Sequence, residues 1–338
     1  MKTSLSEKLP DNVIRQYPFV CHWQNEDVSW IRLNRPTRGN SLNSATLFNL
    51  HKTVELAIAD PKTCGIVITA ADPGFVMGAD IDYLIRNIDQ DRFDRIHDYT
   101  DVGNDCFDLI AGSPKPIVAL VNGSALGGGF ELALACHARF ALRGSSFSLP
   151  ETGIGLCPLW GGIHRLVELL GTETAKWLVY SGKIVSAADA KNWGLVNEIV
   201  IPENAVVFAQ TGARKRHTTS GKKLPSQIPD VRLFNEKRIA AIFREPLPET
   251  AGKTLVSAIR RIKQNCLTAL LYSELIFDSV DMTPLQRIEL YRKIVEVLYR
   301  SEDTKIGLAW KRQGKLGSPP FPSQDVTSNM EVCVDKQL

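Results

Sequence analysis

Short apolar runs alternate with stretches of helical spacing over the first two hundred residues of the chain. Phe19 to Trp23 and Val28 to Leu33 read as strands, joined by a polar Asn25-Glu26-Asp27 turn. A helix is expected from about Ser44, because Leu47, Leu50, Val54, Ala57 and Ile58 recur on one face, and Asp60-Pro61 ends it. Gly65 to Thr69 has the apolar centre of a strand covered on both faces. Residues 82–112 mix helix and loop. Ile117 to Val121 is a further buried strand, and Ile163 to Leu170 and Thr174 to Tyr180 are short helices, the first stopped by Gly171. Ser186 to Asp189 is a good helix start, Gly194 a good stop, and Leu195 to Ile201 a strand.

The pattern then changes. Residues 211–230 are basic, polar and broken by Pro and Gly, which reads as a loop or linker. They carry no interleaved aromatics, so no nucleic-acid partner is expected. From Val231 to Gln313 the spacing is helical throughout, with breaks at Pro246/Pro248 and at Thr283-Pro284, and the tail after Gly314 reads as disordered apart from any contact by Phe321. The organisation expected is an N-terminal extension (1–18), a core (19–204), an insertion or linker (205–230), a helical C-terminal region (231–315) and a tail (316–338).

Composition narrows the function classes. A chain of 338 residues with 44% hydrophobic residues fits one large soluble domain, or one with an appendage. The formal charge of +3 is small and points to no polyanionic partner. Seven scattered cysteines, without a C-x-x-C pair, favour a reduced, cytoplasmic setting. The N-terminus lacks the apolar core of a signal peptide, and no run is long enough to span a membrane.

The chemistry concentrates between Pro114 and Gly162. The strand Ile117 to Val121 leads through Asn122-Gly123 to three glycines, Gly127, Gly128 and Gly129, which open a helix carrying Glu131 in its first turns. Bare N–H groups at such a helix start, backed by the positive end of the helix dipole, suit a developing negative charge. Glu131 lies among Phe130, Leu132, Ala133, Leu134 and Ala135, so its carboxylate is expected to be buried and to need a partner or a task. Glu151 follows Pro150 in another Gly-containing turn. A second glycine turn, Phe75-Val-Met-Gly-Ala-Asp80, also follows an apolar strand and offers N–H donors. Against these, the glycines could serve only tight helix–strand packing, and Glu151 could be an ordinary turn residue. There is no G-x-S-x-G elbow, H-E-x-x-H motif, Walker A loop or early G-x-G-x-x-G, so no metal and no redox nucleotide is expected.

Taken together these motifs resemble the crotonase (enoyl-CoA hydratase/isomerase) superfamily, over about residues 19–315. The resemblance rests on Arg35-Pro-x-x-x-Asn40-x-Leu42, Phe75-x-x-Gly78-Ala79-Asp80, Lys115-Pro116-Ile117-Val118-Ala119, Asn122-Gly123-x-Ala125-x-Gly127-Gly128-Gly129-x-Glu131-Leu132, Phe147-x-x-Pro150-Glu151-x-x-x-Gly155 and Gly161-Gly162. Ser181-Gly182, Ala187-x-x-Ala190-x-x-Trp193-Gly194-Leu195-Val196, Glu302-Asp303 and Gly307-x-x-Trp310-Lys311 extend it. It implies an α/β fold, a spiral of repeated ββα units with a helical C-terminal trimerisation region, and assembly as a homotrimer or a dimer of trimers. It implies an acyl-CoA thioester substrate, with coenzyme A as part of the substrate and no further cofactor. By the same resemblance, the N–H groups of Met77 and Gly128 would hold the thioester oxygen, and Glu131 and Glu151 would be the catalytic acids. Arg38, Gly39, Asn40, Gly78, Ala79, Asp80 and Ile81 would cradle CoA, and Lys311 or Arg312 could reach its phosphates.

Two intact glutamates favour a hydratase, with isomerase or acyl-CoA hydrolase chemistry as the alternative and a non-catalytic binding or scaffold protein as the reading of another class. The chain departs from the family at Pro158-Leu159-Trp160-Gly161-Gly162, where the family commonly has Pro-Gly-x-Gly-Gly. Leu159 is therefore expected to reshape this loop, and Trp160 either adds bulk next to the acyl pocket or is a packed surface residue.

Overall fold

The computed structural model describes residues 13–215, 239–244 and 253–322. A seven-stranded sheet runs in the order β1 (Val13–Tyr17), β2 (Val20–Asn25), β3 (Val28–Leu33), β4 (Gly65–Ala70), β5 (Ile117–Val121), β7 (Ala138–Leu142), β10 (Glu198–Val200). It is antiparallel from β1 to β3 and parallel from β3 onward. A smaller sheet joins β6 (Ser124–Leu126), β8 (Ser146–Ser148) and β9 (Val185–Ser186).

The two sheets arise from a repeated unit. β5 enters the large sheet, β6 the small one, and the helix α4 (Gly128–Ala135) follows; β7 and β8 then divide in the same way before α5 (Gly162–Leu170). The first such unit is shorter. After β4, Val76 alone bridges to Ala125 of β6, before α2 (Ile81–Asp89) and α3 (Phe93–Ala111). This is the α/β alternation expected from the hydrophobic pattern.

Strand period explains why the parallel strands are apolar throughout. Every residue of β4, β5 and β7 is buried. Alternate side chains divide between two clusters. Ile66, Ile68, Ile117, Ala119 and Val121 face the main core, with α1 (Ser44–Ala59), α3 and α4. Val67, Val118, Leu120, Phe140 and Leu142 face Ala205, Ala209 and Ala213 of α8 (Pro202–Ala213).

Several elements differ from the sequence reading. β1 pairs along β2, so residues 13–17 of the expected N-terminal extension belong to the sheet. Residues 205–213 of the expected insertion are the end of α8; its small alanines, spaced by four, let it lie close on the strands. Residues 216–230 of that insertion lie outside the described residues, as do Pro246 and Pro248. Residues 82–112 form two near-continuous helices, and the strand expected over Leu195 to Ile201 is confined to Glu198–Val200. Between these spans come α6 (Thr172–Ser181) and α7 (Ala187–Trp193), the latter capped by Ser186 as expected.

The C-terminal region is helical where described: α9 (Ile239–Arg244), α10 (Lys253–Ile262), α11 (Leu267–Asp278), α12 (Pro284–Leu298) and α13 (Glu302–Arg312). Thr283 and Gln286 form a capping box at the start of α12. Phe321, in the expected tail, is buried in the main core.

Candidate active site

Glu131 is the fourth residue of α4, a helix whose eight residues are all buried. No face of it reaches water, so the carboxylate depends on protein donors. Its Oε1 accepts the N–H groups of Trp160 and Gly162, each at 2.9 Å. Burial raises its pKa to about 7, against the opposing pull of those two N–H groups and of Arg165.

Glu151 opens the short 3-10 helix Glu151–Ile154, which Gly155 closes in the left-handed region at φ +74°. The Glu151 Oε2 is buried without a hydrogen-bond partner. Oε1 lies against Gly127, where an added Cβ would stand 2.8 Å from it. Burial, then the nearby Glu131 charge, pushes the Glu151 pKa well up. The two carboxylates thus form one buried pair with unequal surroundings: Glu131 accepts two N–H bonds, whereas Glu151 receives no compensating donor at Oε2. Both carboxyls are pushed up by burial, and Glu131, which accepts two N–H bonds, is the better stabilised of the two as an anion.

Two backbone N–H groups stand beside this pair. Gly127, at φ +51°, turns the chain into α4, and the Gly128 N–H is among the helix-start donors that have no acceptor in the helix. The 77–80 turn lies alongside, because a Cβ at Gly78 would come within 3.6 Å of the Gly128 nitrogen. Met77, however, donates its N–H to Gly39 O at 3.0 Å, and its side chain is exposed. Ala79 is different. The bridge to Leu42 is made by Leu42 N–H to Gly78 O and Asp80 N–H to Leu42 O, which leaves the Ala79 N–H with no backbone acceptor among the described residues.

The other expected site residues fall into three groups. Asn40 is fully buried and tied internally: its Oδ1 accepts Arg35 N–H, and its Nδ2 donates to Ala71 O and Gly74 O. Asp80 caps α2 through Tyr83 N–H and pairs with Arg35 at 2.5 Å. These two hold the turns in place from behind. Arg38, Gly39, Gly78 and Ile81 surround the Met77 turn, and Arg38 pairs with Asp82, which also lies 3.4 Å from Arg312. Leu159 and Trp160 are both buried. Their loop is fixed by Asn104 Nδ2 donating to Leu159 O at 2.9 Å and Arg165 donating to Trp160 O at 2.7 Å.

A cavity of about 540 Å³ opens beside Leu126 and Pro150, the residues flanking Gly127 and Glu151. Arg260, Arg261, Lys311 and Lys315 line it, with no carboxylate among the described residues. Sequence reading missed Tyr299 and Cys157, both buried and both raised in pKa by burial and by the charges of Glu131 and Glu151. No local signal marks them: Tyr299 ends α12, and only tertiary packing brings it to the acids.

The chain matches the family model described as enoyl-CoA hydratase/isomerase over residues 24–231. Among curated proteins it is 38% identical to a crotonyl-CoA hydratase of Syntrophomonas wolfei, over 55% of this chain and 71% of that protein. It is 35% identical to a short-chain-enoyl-CoA hydratase of Clostridium acetobutylicum, over 56% of this chain and 71% of that protein. In fold it is similar to an enoyl-CoA hydratase from Rhodobacter sphaeroides, with a TM-score of 0.74, 22% identity and coverage of 95% of this chain and 99% of that one.

Proposed function

The chain belongs to the enoyl-CoA hydratase/isomerase family, and from that premise we propose that it is an enoyl-CoA hydratase adding water reversibly across a 2-enoyl-CoA thioester. The observation that carries the reading is the buried Glu131–Glu151 pair, one member stabilised as an anion and the other as an acid.

The thioester oxygen would accept the N–H groups of Gly128 and Ala79. Ala79 replaces Met77 in this role because the Met77 N–H is already taken by Gly39. Glu131 accepts a proton from water as the oxygen attacks Cβ. The π electrons of the double bond move toward the thioester, and negative charge gathers on the oxygen facing the two donors. Glu151 then delivers its proton to Cα. The product is a 3-hydroxyacyl thioester. A proton passing from Glu131 back to Glu151 restores the starting state.

The cavity lined by Arg260, Arg261, Lys311 and Lys315 supports CoA as the carrier, since four cations without a carboxylate suit its phosphates. Ile201, Val206, Val207 and Phe208 are exposed apolar residues on and just before α8, in keeping with the homotrimer or dimer of trimers expected from the family resemblance. The six described cysteines form no disulfide with one another, in keeping with a cytoplasmic setting.

The test is to incubate the protein with crotonyl-CoA and follow loss of conjugated thioester absorbance and release of free thiol together. Hydration without thiol release is expected. Thiol release would replace this reading with a hydrolase, and a shifted double bond in the product would replace it with an isomerase.

A further inference from the structure

Trp160 follows Leu159, the residue at which the chain departs from its family's pattern, and its ring lies against Gly128 at the start of α4. The indole is buried between α4 and α3. On one side it touches Gly128: a Cβ added there would lie 2.6 Å from Trp160 Cε3 and closer still to Cζ3. On the other it touches Gly103, where an added Cβ would lie 2.7 Å from Cδ1 and closer to the indole nitrogen. Tyr99 and Phe107 close the remaining edges, each edge-on, at 5.2 Å and 5.6 Å between ring centres.

Gly103 is informative here. A glycine inside a helix costs about 1 kcal/mol relative to alanine. Gly103 lies mid-way along α3, and the atoms an alanine there would meet first are those of the Trp160 ring. The ring therefore has a berth made for it on both helices. Its backbone is fixed as well, by Glu131 at the N–H and Arg165 at the carbonyl. Nothing in this arrangement lets the indole swing aside cheaply.

The position of the thioester follows from the Gly128 donor, and the reacting Cα and Cβ follow from the two carboxylates. The CoA end of the thioester would leave toward solvent, where Met77 is exposed. Acyl carbons beyond Cβ must continue the other way, inward between α3 and α4. That is the gap the indole fills. We propose that Trp160 is the specificity-determining residue of this enzyme, closing the inner end of the acyl pocket so that short 2-enoyl chains fit and long ones do not. The proposal rests on the hydratase reading for its substrate class, and on the packing alone for the length limit.

The experiment compares wild type, Trp160→Phe and Trp160→Ala on 2-enoyl-CoAs from four to ten carbons, reading kcat/KM for each. Wild type is expected to prefer the four-carbon substrate over the ten-carbon one by about 100-fold or more. Trp160→Ala is expected to raise the ratio of ten-carbon to four-carbon kcat/KM by at least about tenfold, with Trp160→Phe between. A parallel loss at every length with an unchanged ratio would overturn the proposal, because it would make the indole packing only. So would a wild-type enzyme that accepts the ten-carbon chain as well as the four-carbon one. Calorimetric binding of butanoyl-CoA and decanoyl-CoA to the same proteins needs no turnover. If no enoyl-CoA is hydrated, the hydratase reading fails. The length proposal then stands only if wild type binds butanoyl-CoA more tightly than decanoyl-CoA, and falls if it binds both equally. The same wild-type comparison decides should neither variant fold.

Discussion

Glu151 carries the sharpest consequence at the scale of a single residue. Its carboxyl is buried, its Oε2 has no partner, and its pKa is pushed up. A carboxyl whose folded pKa exceeds its unfolded value stabilises the fold below the unfolded pKa, and that stability is lost as pH rises through the folded one. Glu151→Gln removes this titration. The variant should therefore gain thermal stability over wild type at about pH 8 and lose most of that advantage at about pH 5, near the ordinary carboxyl range. Melting curves at the two pH values check it; an advantage independent of pH would mean that Glu151 is not a buried acid. The burial of Glu131 was legible in the sequence, because its neighbours along α4 are apolar on every side. The bonds it accepts were not, since Trp160 and Gly162 lie 29 and 31 residues further on. The Met77 N–H shows a different limit. Gly39 competes for it through the 36–39 turn, while the Ala79 N–H has no backbone acceptor among the described residues.

Between elements, the position of Glu151 depends on how α13 docks on the 3-10 helix that carries it. Thr304 donates its hydroxyl to Gly155 O at 2.6 Å, and Gly307 meets Ile154 so closely that an added Cβ would lie 2.9 Å from its Cα and nearer still to its carbonyl. Gly307→Ala should thus push α13 off this support. A loss of about 1–3 kcal/mol in stability is expected from such overpacking, with a fall in kcat. Denaturant unfolding and kinetics measure both, and a variant as stable and as active as wild type would show that the docking is not strict. The elements themselves were unevenly legible. β3 and β5 have the limits their apolar runs predict, and α1 starts where Asn43 caps it. β1 has no comparable signal, because it is an edge strand defined by its pairing with β2. α8 was hidden by its composition: alanines spaced by four give close packing on the sheet but only a weak amphipathic pattern.

For the whole molecule, the helical C-terminal region was readable from its helical spacing, whereas the sequence itself shows no internal repeat and the ββα repeat was expected only from the family resemblance. The convergence of α4, the 77–80 turn and the 3-10 helix on one point was not readable, since it is a product of packing two sheets against the C-terminal helices. Assembly belongs to this scale too. The exposed Ile201, Val206, Val207 and Phe208 should be covered in the assembly, so sedimentation should give three or six copies of the chain, and Val207→Asp should shift the particle toward monomer. A monomeric wild type would remove the assembly from the proposal. The central claim concerns the acid pair, and kinetics of crotonyl-CoA hydration by wild type and Glu151→Gln test it most directly. Wild type should hydrate the substrate without releasing thiol. Glu151→Gln should bind CoA thioester with unchanged affinity and lose at least about 100-fold in kcat, the scale of a missing proton donor. Turnover by the variant at the wild-type rate would contradict the account.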